Sequence, residues 1–144
     1  MKVYDVADYF LTLQDEDCED YISNLKLQKL CYYAQGFHLA LNGSRLFPDD
    51  LEAWQHGPVV RALYKKYSSF GSGALTVTDG FDWDKISKDN KDLLNEVFMQ
   101  YAQYSAWKLR DMTHVETPWI NARKRKDKIL NDGDMISFFK ELLA

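Results

Sequence analysis

The stretch from residue 24 to 42 constrains this chain more than any other. Ser23 or Asn24 can cap a helix there, and Asn42-Gly43 can stop it. Leu27, Leu30, Cys31, Ala34, Phe37, His38 and Leu41 form one stripe of that helix. Leu25, Tyr32, Tyr33 and Leu39 carry apolar surface around much of the remainder. A helix that is apolar nearly all round is covered by its neighbours, so the pattern predicts a central spine. Gly36 lies inside it, where Gly costs ~1 kcal/mol relative to Ala. That cost is explained if another helix or an inserted aromatic ring crosses closely at Gly36.

The remaining segments read as elements wrapped around the spine. Val3, Val6, Ala7, Phe10 and Leu11 follow one helical face, which stops near Gln14. Residues 15–20 contain five acidic side chains among six, a solvated loop or a docking surface for a basic partner. Phe47-Pro48-Asp49-Asp50 is a turn, and residues 51–56 alternate as a short strand would. Gly57-Pro58 restarts the chain, with Pro58 suited to the first position of a helix whose inner face is Val59, Ala62, Leu63 and Tyr67. A second short strand is expected at Leu75-Thr76-Val77-Thr78. A long helix begins around Ser87 to Asp89, and Ser105 caps a shorter one through Met112. Thr117-Pro118 opens a helix from Trp119 to about Lys126. Asp132 or Asp134 caps the last helix. The count is about seven helices with one or two short strands, with no fixed-period repeat and no dividing linker. The expectation is one mostly α, compact domain over residues 1–144.

Composition narrows the function classes. The chain carries 22 acidic against 18 basic side chains, a formal charge of −4, which argues against general nucleic-acid binding. Aromatic residues make up 15% of it, more often core than interface, although Trp and Tyr are favoured anchors at interfaces. Cys18 and Cys31 have no partner at metal or redox spacing and are expected as free thiols in a reducing compartment. The first residues lack the pattern of a signal peptide, and no stretch is long and apolar enough for a membrane span. A cytoplasmic location follows as the expectation.

Few residues suggest chemistry. His38 sits on the spine's core stripe. His56 lies in Trp54-Gln55-His56-Gly57-Pro58, where the Gly-Pro turn aims the imidazole. His114 lies in Thr113-His114-Val115-Glu116-Thr117-Pro118-Trp119, just before a helix N-terminus. His114 and Glu116 could act as base and orienter or as metal ligands, with His56 or Cys31 as a distant third ligand. Equally, Glu116 or Thr117 caps the following helix while His114 bonds to backbone. No nucleophile elbow, Cys–His neighbour or Gly-rich phosphate loop is present. The run Arg123-Lys124-Arg125-Lys126-Asp127-Lys128 is the main basic patch. It is either a solvated helix end at its own negative dipole pole or a site for phosphate or an acidic partner.

Three blocks together carry a resemblance. Residues 25–36, Leu-Lys-Leu-Gln-Lys-Leu-Cys-Tyr-Tyr-Ala-Gln-Gly, are followed by Leu46-Phe47 and by Glu52-Ala53-Trp54-Gln55-His56-Gly57-Pro58-Val59. The third block is Thr113-His114-Val115-Glu116-Thr117-Pro118-Trp119-Ile120-Asn121-Ala122-Arg123. In order and spacing these resemble the Panacea domain, the SocA-like antitoxin family, along essentially residues 3 to 143.

The resemblance implies an antitoxin that neutralises a cognate protein toxin, encoded by a neighbouring gene, through direct protein contact. Such pairs are often carried by chromosomes, prophages or phages. One branch of the family is described as an adaptor to a Clp-type protease, which implies that protease as a further partner. The family is not known as an enzyme and implies no cofactor or metal. Unlike some members, this chain is expected to act without an additional N-terminal DNA-binding domain, so that autorepression of its own operon is less expected than in members that carry one. The expected toxin-binding residues are Trp54, His56, His114, Glu116 and Trp119, because two fixed turns present them. Arg123, Lys124, Arg125 and Lys126 form a candidate basic patch. Two alternatives stay open: a metal-assisted hydrolase using His56, His114 and Glu116, and a DNA-binding regulator using residues 123–128.

Overall fold

The computed structural model describes residues 1–14 and 21–144; Cys18 and the acidic run at 15–20 lie outside the described residues. Helix α2 spans Asn24–Asn42, the range expected from its capping signals. The Ser23 hydroxyl accepts from the Lys26 N–H, and Gly43 ends the helix at φ 72°, a left-handed stop that glycine adopts without strain. Around it the chain forms α1 (Val3–Leu13), α3 (Arg61–Lys66), α4 (Lys88–Tyr101), α5 (Ala106–His114), α6 (Thr117–Lys124) and α7 (Asp132–Leu143). Strands β1 (Glu52–Trp54) and β2 (Gly57–Val59) form the one small sheet among the described residues. The chain is mostly α, with seven helices among the described residues.

Helix α2 is the spine. Helices α1, α3, α4, α5 and α7 and the hairpin all pack on it, while α6 sits on α5, α7 and β1. Phe139 of α7 explains Gly36: a Cβ there would overlap its ring. The same ring meets Phe37 at 4.8 Å and Tyr32 at 5.5 Å between centroids, both edge-on. Tyr33 stacks on Tyr101 of α4 at 3.8 Å. These edge-on and stacked contacts add to the large apolar burial of each ring.

Several of the spine's polar residues are buried too, and Gln28, Lys29 and Gln35 bond to backbone in the segments between helices. Gln28 accepts from the Val60 N–H at 2.9 Å and donates to Asn24. Lys29 donates to the Pro58 carbonyl at 2.9 Å. Gln35 accepts from the Leu46 N–H at 2.7 Å and donates to the Phe47 carbonyl at 2.8 Å. Buried loop backbone must find partners inside the protein, and these side chains supply them. The signature of residues 25–36 therefore does two jobs: its apolar members fill the core, and its polar members anchor the loops.

Several local expectations are corrected. Pro58 does not begin a helix. It pairs with Ala53 across the hairpin, and α3 starts at Arg61. Ala62, expected on the inner face, is exposed, while Val60 joins Val59, Leu63 and Tyr67 inside. No strand forms at 75–78, because Leu75 N–H bonds to the Ile22 carbonyl and Thr78 N–H to the buried Asp8 carboxylate. Asn131, not Asp132 or Asp134, caps α7 by accepting from the Asp134 N–H. Helix α5 runs on to His114, and α6 already includes Thr117. No helix among the described residues is long and apolar enough to cross a membrane.

Candidate protein-docking face

The hairpin is held rigidly from beneath. Trp54 pairs with Gly57, which adopts φ 110°. A Cβ on Gly57 would run into the Lys29 side chain and lie 2.9 Å from Thr113 Oγ1. Only glycine suits both the backbone angle and the close approach. Lys29 is fully buried under this turn, and burial lowers its pKa to about 7.

Helix α6 clamps the hairpin from the side. The Trp119 indole N–H donates to the Trp54 carbonyl at 2.9 Å, and Arg123 donates to the Ala53 carbonyl at 2.9 Å. The Arg123 guanidinium also lies over the Trp119 ring, 5.7 Å from its centroid. His114 stacks flat on Trp119 at 4.2 Å. Burial lowers its pKa, with the Arg110 charge adding to the effect, so the imidazole is neutral at neutral pH.

Two further clusters lie at the surface. Trp107 of α5 is 58% exposed, with His56 against its edge at 5.5 Å and Arg110 over its ring at 5.2 Å. Arg110 also donates to His56 Nδ1 at 3.2 Å. Across the hairpin, Trp54 meets Tyr64 edge-on at 4.9 Å and carries Arg61 at 5.5 Å. Arg61 is itself held by Glu52 at 2.7 Å. A groove of about 770 Å³ opens beside these groups, lined among others by Tyr21, Trp54, His56, Tyr64 and Trp107.

The expected site residues thus divide. Trp54, His56, His114 and Trp119 are brought together around the hairpin. Glu116 is buried beneath them at 8% exposure. Its two carboxylate oxygens accept from the Tyr32 and Tyr33 hydroxyls, each at 2.9 Å. Burial raises its pKa to about 7, against the lowering effect of the two hydroxyls. It caps no helix: α6 begins without a side-chain cap. Glu116 positions the turn by locking it to α2.

The basic run divides as well. Arg123 belongs to the hairpin clamp, whereas Arg125 folds back on the Ile129 carbonyl at 2.8 Å and on Asp134 at 3.4 Å. Lys124 and Lys126 are exposed. Lys128 donates to the Arg123 and Arg125 carbonyls at the end of α6, where a cation meets the negative pole. No group of three or more His, Cys, Asp or Glu among the described residues is placed to hold a metal ion. Cys31 is buried, and burial pushes its thiol pKa up, so it offers no thiolate.

Trp107, Arg110 and Tyr64 were not among the residues expected from sequence. Residues 107, 110, 111 and 114 lie opposite the buried Leu109 and Thr113 on α5, so helical spacing alone could have joined Trp107 and Arg110 to His114.

Residues 27–120 match the model of the family described as antitoxin SocA-like, Panacea domain. The chain belongs to this family. That span contains residues 27–36 of the α2 signature, the hairpin and the 113–119 turn. A curated relative, Antitoxin SocA of Caulobacter vibrioides (strain NA1000 / CB15N), is 46% identical over 50 residues. The shared stretch covers 35% of this chain and 27% of the relative's length. No solved structure gives a significant match. In this chain the inner residues of the signature build the core, and side chains around the hairpin lie at the surface.

Proposed function

We propose that this chain is the antitoxin of a two-component pair, acting in the cytoplasm, and that it silences its toxin by direct contact through the hairpin face. Membership of the antitoxin family supplies the class. The observation that carries the location is the surface formed by exposed His56 and Trp107 with half-buried Arg110 and Trp54, beside backbone that Lys29, Glu116 and Trp119 tie to the spine and α6. Trp, Tyr and Arg dominate binding hot spots, and a rigid support lowers the entropy lost on association. The chemistry is recognition rather than turnover: Glu116 is engaged by two tyrosines, and His114 is held in a stack.

The test is co-expression with the neighbouring reading frame in bacteria. Growth arrest by the neighbour, relieved by this chain with recovery of a complex, supports the proposal. A harmless neighbour, or rescue without any complex, contradicts it. Toxin abundance read in the same cells separates blocking, which leaves it unchanged, from delivery to a Clp-type protease, which lowers it.

A further inference from the structure

The last turns of α2, helix α4 and the end of α7 enclose a second groove of about 690 Å³. The hairpin groove uses residues 23–28 of the α2 region and this one uses residues 37–42, so the two lie toward opposite ends of the spine. Phe37, Leu41, Leu93, Val97 and Leu143 make its apolar floor. Leu41 is 58% exposed and Leu143 48%.

Along the wall, α4 sets Asp89, Asp92 and Glu96 at i, i+3 and i+7, one stripe of a helix. Among the described residues no Lys or Arg lines the groove. Lys88 pairs with Asp92 at 3.2 Å from outside it, but both are exposed and such a pair yields to a better-placed cation. Neither α2 nor α4 has a basic residue in its last turn, so the negative pole of α2 at Leu41–Asn42 is left uncompensated by its own side chains.

Apolar floor, carboxylate wall and negative helix end specify the occupant's chemistry. Anionic partners such as nucleic acid are repelled. From Asp89 to Gln100 the wall rises about 17 Å, about three turns of helix. We propose that this groove is a second docking site, and that it takes a cationic amphipathic helix of a partner protein. That helix would seat apolar side chains at i, i+3 or i+4, and i+7 on Leu41, Leu93 and Val97, with Lys or Arg beside Asp89 and Glu96. The proposal is independent of what the hairpin face binds. The chain's own basic run is a poor occupant, because α6 ends at Lys124 and Arg125 and Lys128 are tied back to backbone carbonyls.

The probe is a synthetic, helix-stabilised peptide with Leu at the anchor spacing and Lys between, titrated into the full chain by fluorescence anisotropy. A peptide of the same composition in scrambled order is the control. The ordered peptide should bind, and more weakly at higher salt. The double variant Asp89→Lys/Glu96→Lys and the single variant Leu41→Glu should each weaken it by more than about tenfold. Trp107→Ala, at the other groove, should leave it unchanged. All of these side chains are exposed, and a thermal melt checks that each variant stays folded. Equal binding of the scrambled peptide, indifference to the groove variants, or no binding up to about 1 mM overturns the proposal. So does sedimentation showing that the chain pairs with itself in a Leu41→Glu-sensitive way, which would assign the groove to a second copy.

Discussion

The two blocks at the hairpin each combine inner residues, which meet the spine, with outer residues, which make the hairpin's face, and the two sets carry opposite duties. In the block around residues 54–58, Gly57 and Pro58 face Lys29 while Trp54 and His56 face outward. In the block around 113–119, Thr113 and Glu116 face inward while His114 and Trp119 stack at the surface side. Each motif thus supplies both a surface and the inner residues that support it. Inner substitutions should cost folding, and outer ones should cost binding.

The largest effect should come from the inner side. Phe139→Ala empties the space among Tyr32, Tyr33 and Phe37 and should cost about 3–5 kcal/mol by denaturant unfolding. A loss below about 1 kcal/mol would break the picture of α2 as a tightly covered spine. Next comes the outer side. Trp107→Ala should change stability by less than about 0.5 kcal/mol, yet weaken toxin binding by about 2 kcal/mol, roughly 30-fold. Calorimetry on the folded variant checks both halves of that contrast.

Gly36→Ala should be smaller and opposite to helix propensity. Alanine normally gains ~1 kcal/mol over glycine within a helix, but the Phe139 ring occupies the site, and overpacking costs about 1–3 kcal/mol. A net loss is expected, and a gain in melting temperature would contradict the close crossing.

A further effect, read per pH unit, is a dependence on pH. Glu116 titrates at about 7 in the fold against 4.5 for the ordinary group. The folded state therefore holds the extra proton between those values, and stability falls as pH rises through them. Lys29 titrates at about 7 against 10.5, so the unfolded state holds the extra proton above 7 and stability recovers as pH rises further. Each slope is at most about 1.4 kcal/mol per pH unit. Glu116→Gln should flatten the acid limb and Lys29→Met the alkaline one, measured by urea unfolding across that range.

Much of the fold was legible because its signals are local. The bounds of α2, the start of α4, the Ser105 cap and the aromatic insertion at Gly36 all follow from a few neighbouring residues. What escaped depends on distant partners. Pro58 suits a helix start, but β1 supplies a strand partner, and Lys128 and Ile129 extend the pairing from seventy or so residues away. Residues 75–78 alternate like a strand, yet Ile22 and Asp8 take their donors. The grouping of Trp54, His56, His114 and Trp119 around the hairpin was legible from their fixed turns, whereas the burial of Glu116 was not read. A signal did exist: Tyr32 and Tyr33 on a covered helix need acceptors for their hydroxyls, and a carboxylate from another element can serve both.

The most direct test of the docking face is the dissociation constant of the toxin for the chain and for Trp54→Ala, His56→Ala and Trp107→Ala, each first shown to be folded. Weakening by all three, with Lys124→Ala and Leu41→Glu close to the parent value, is the result expected. Unchanged affinity in all three folded variants would place the toxin elsewhere and contradict the hairpin face as its site.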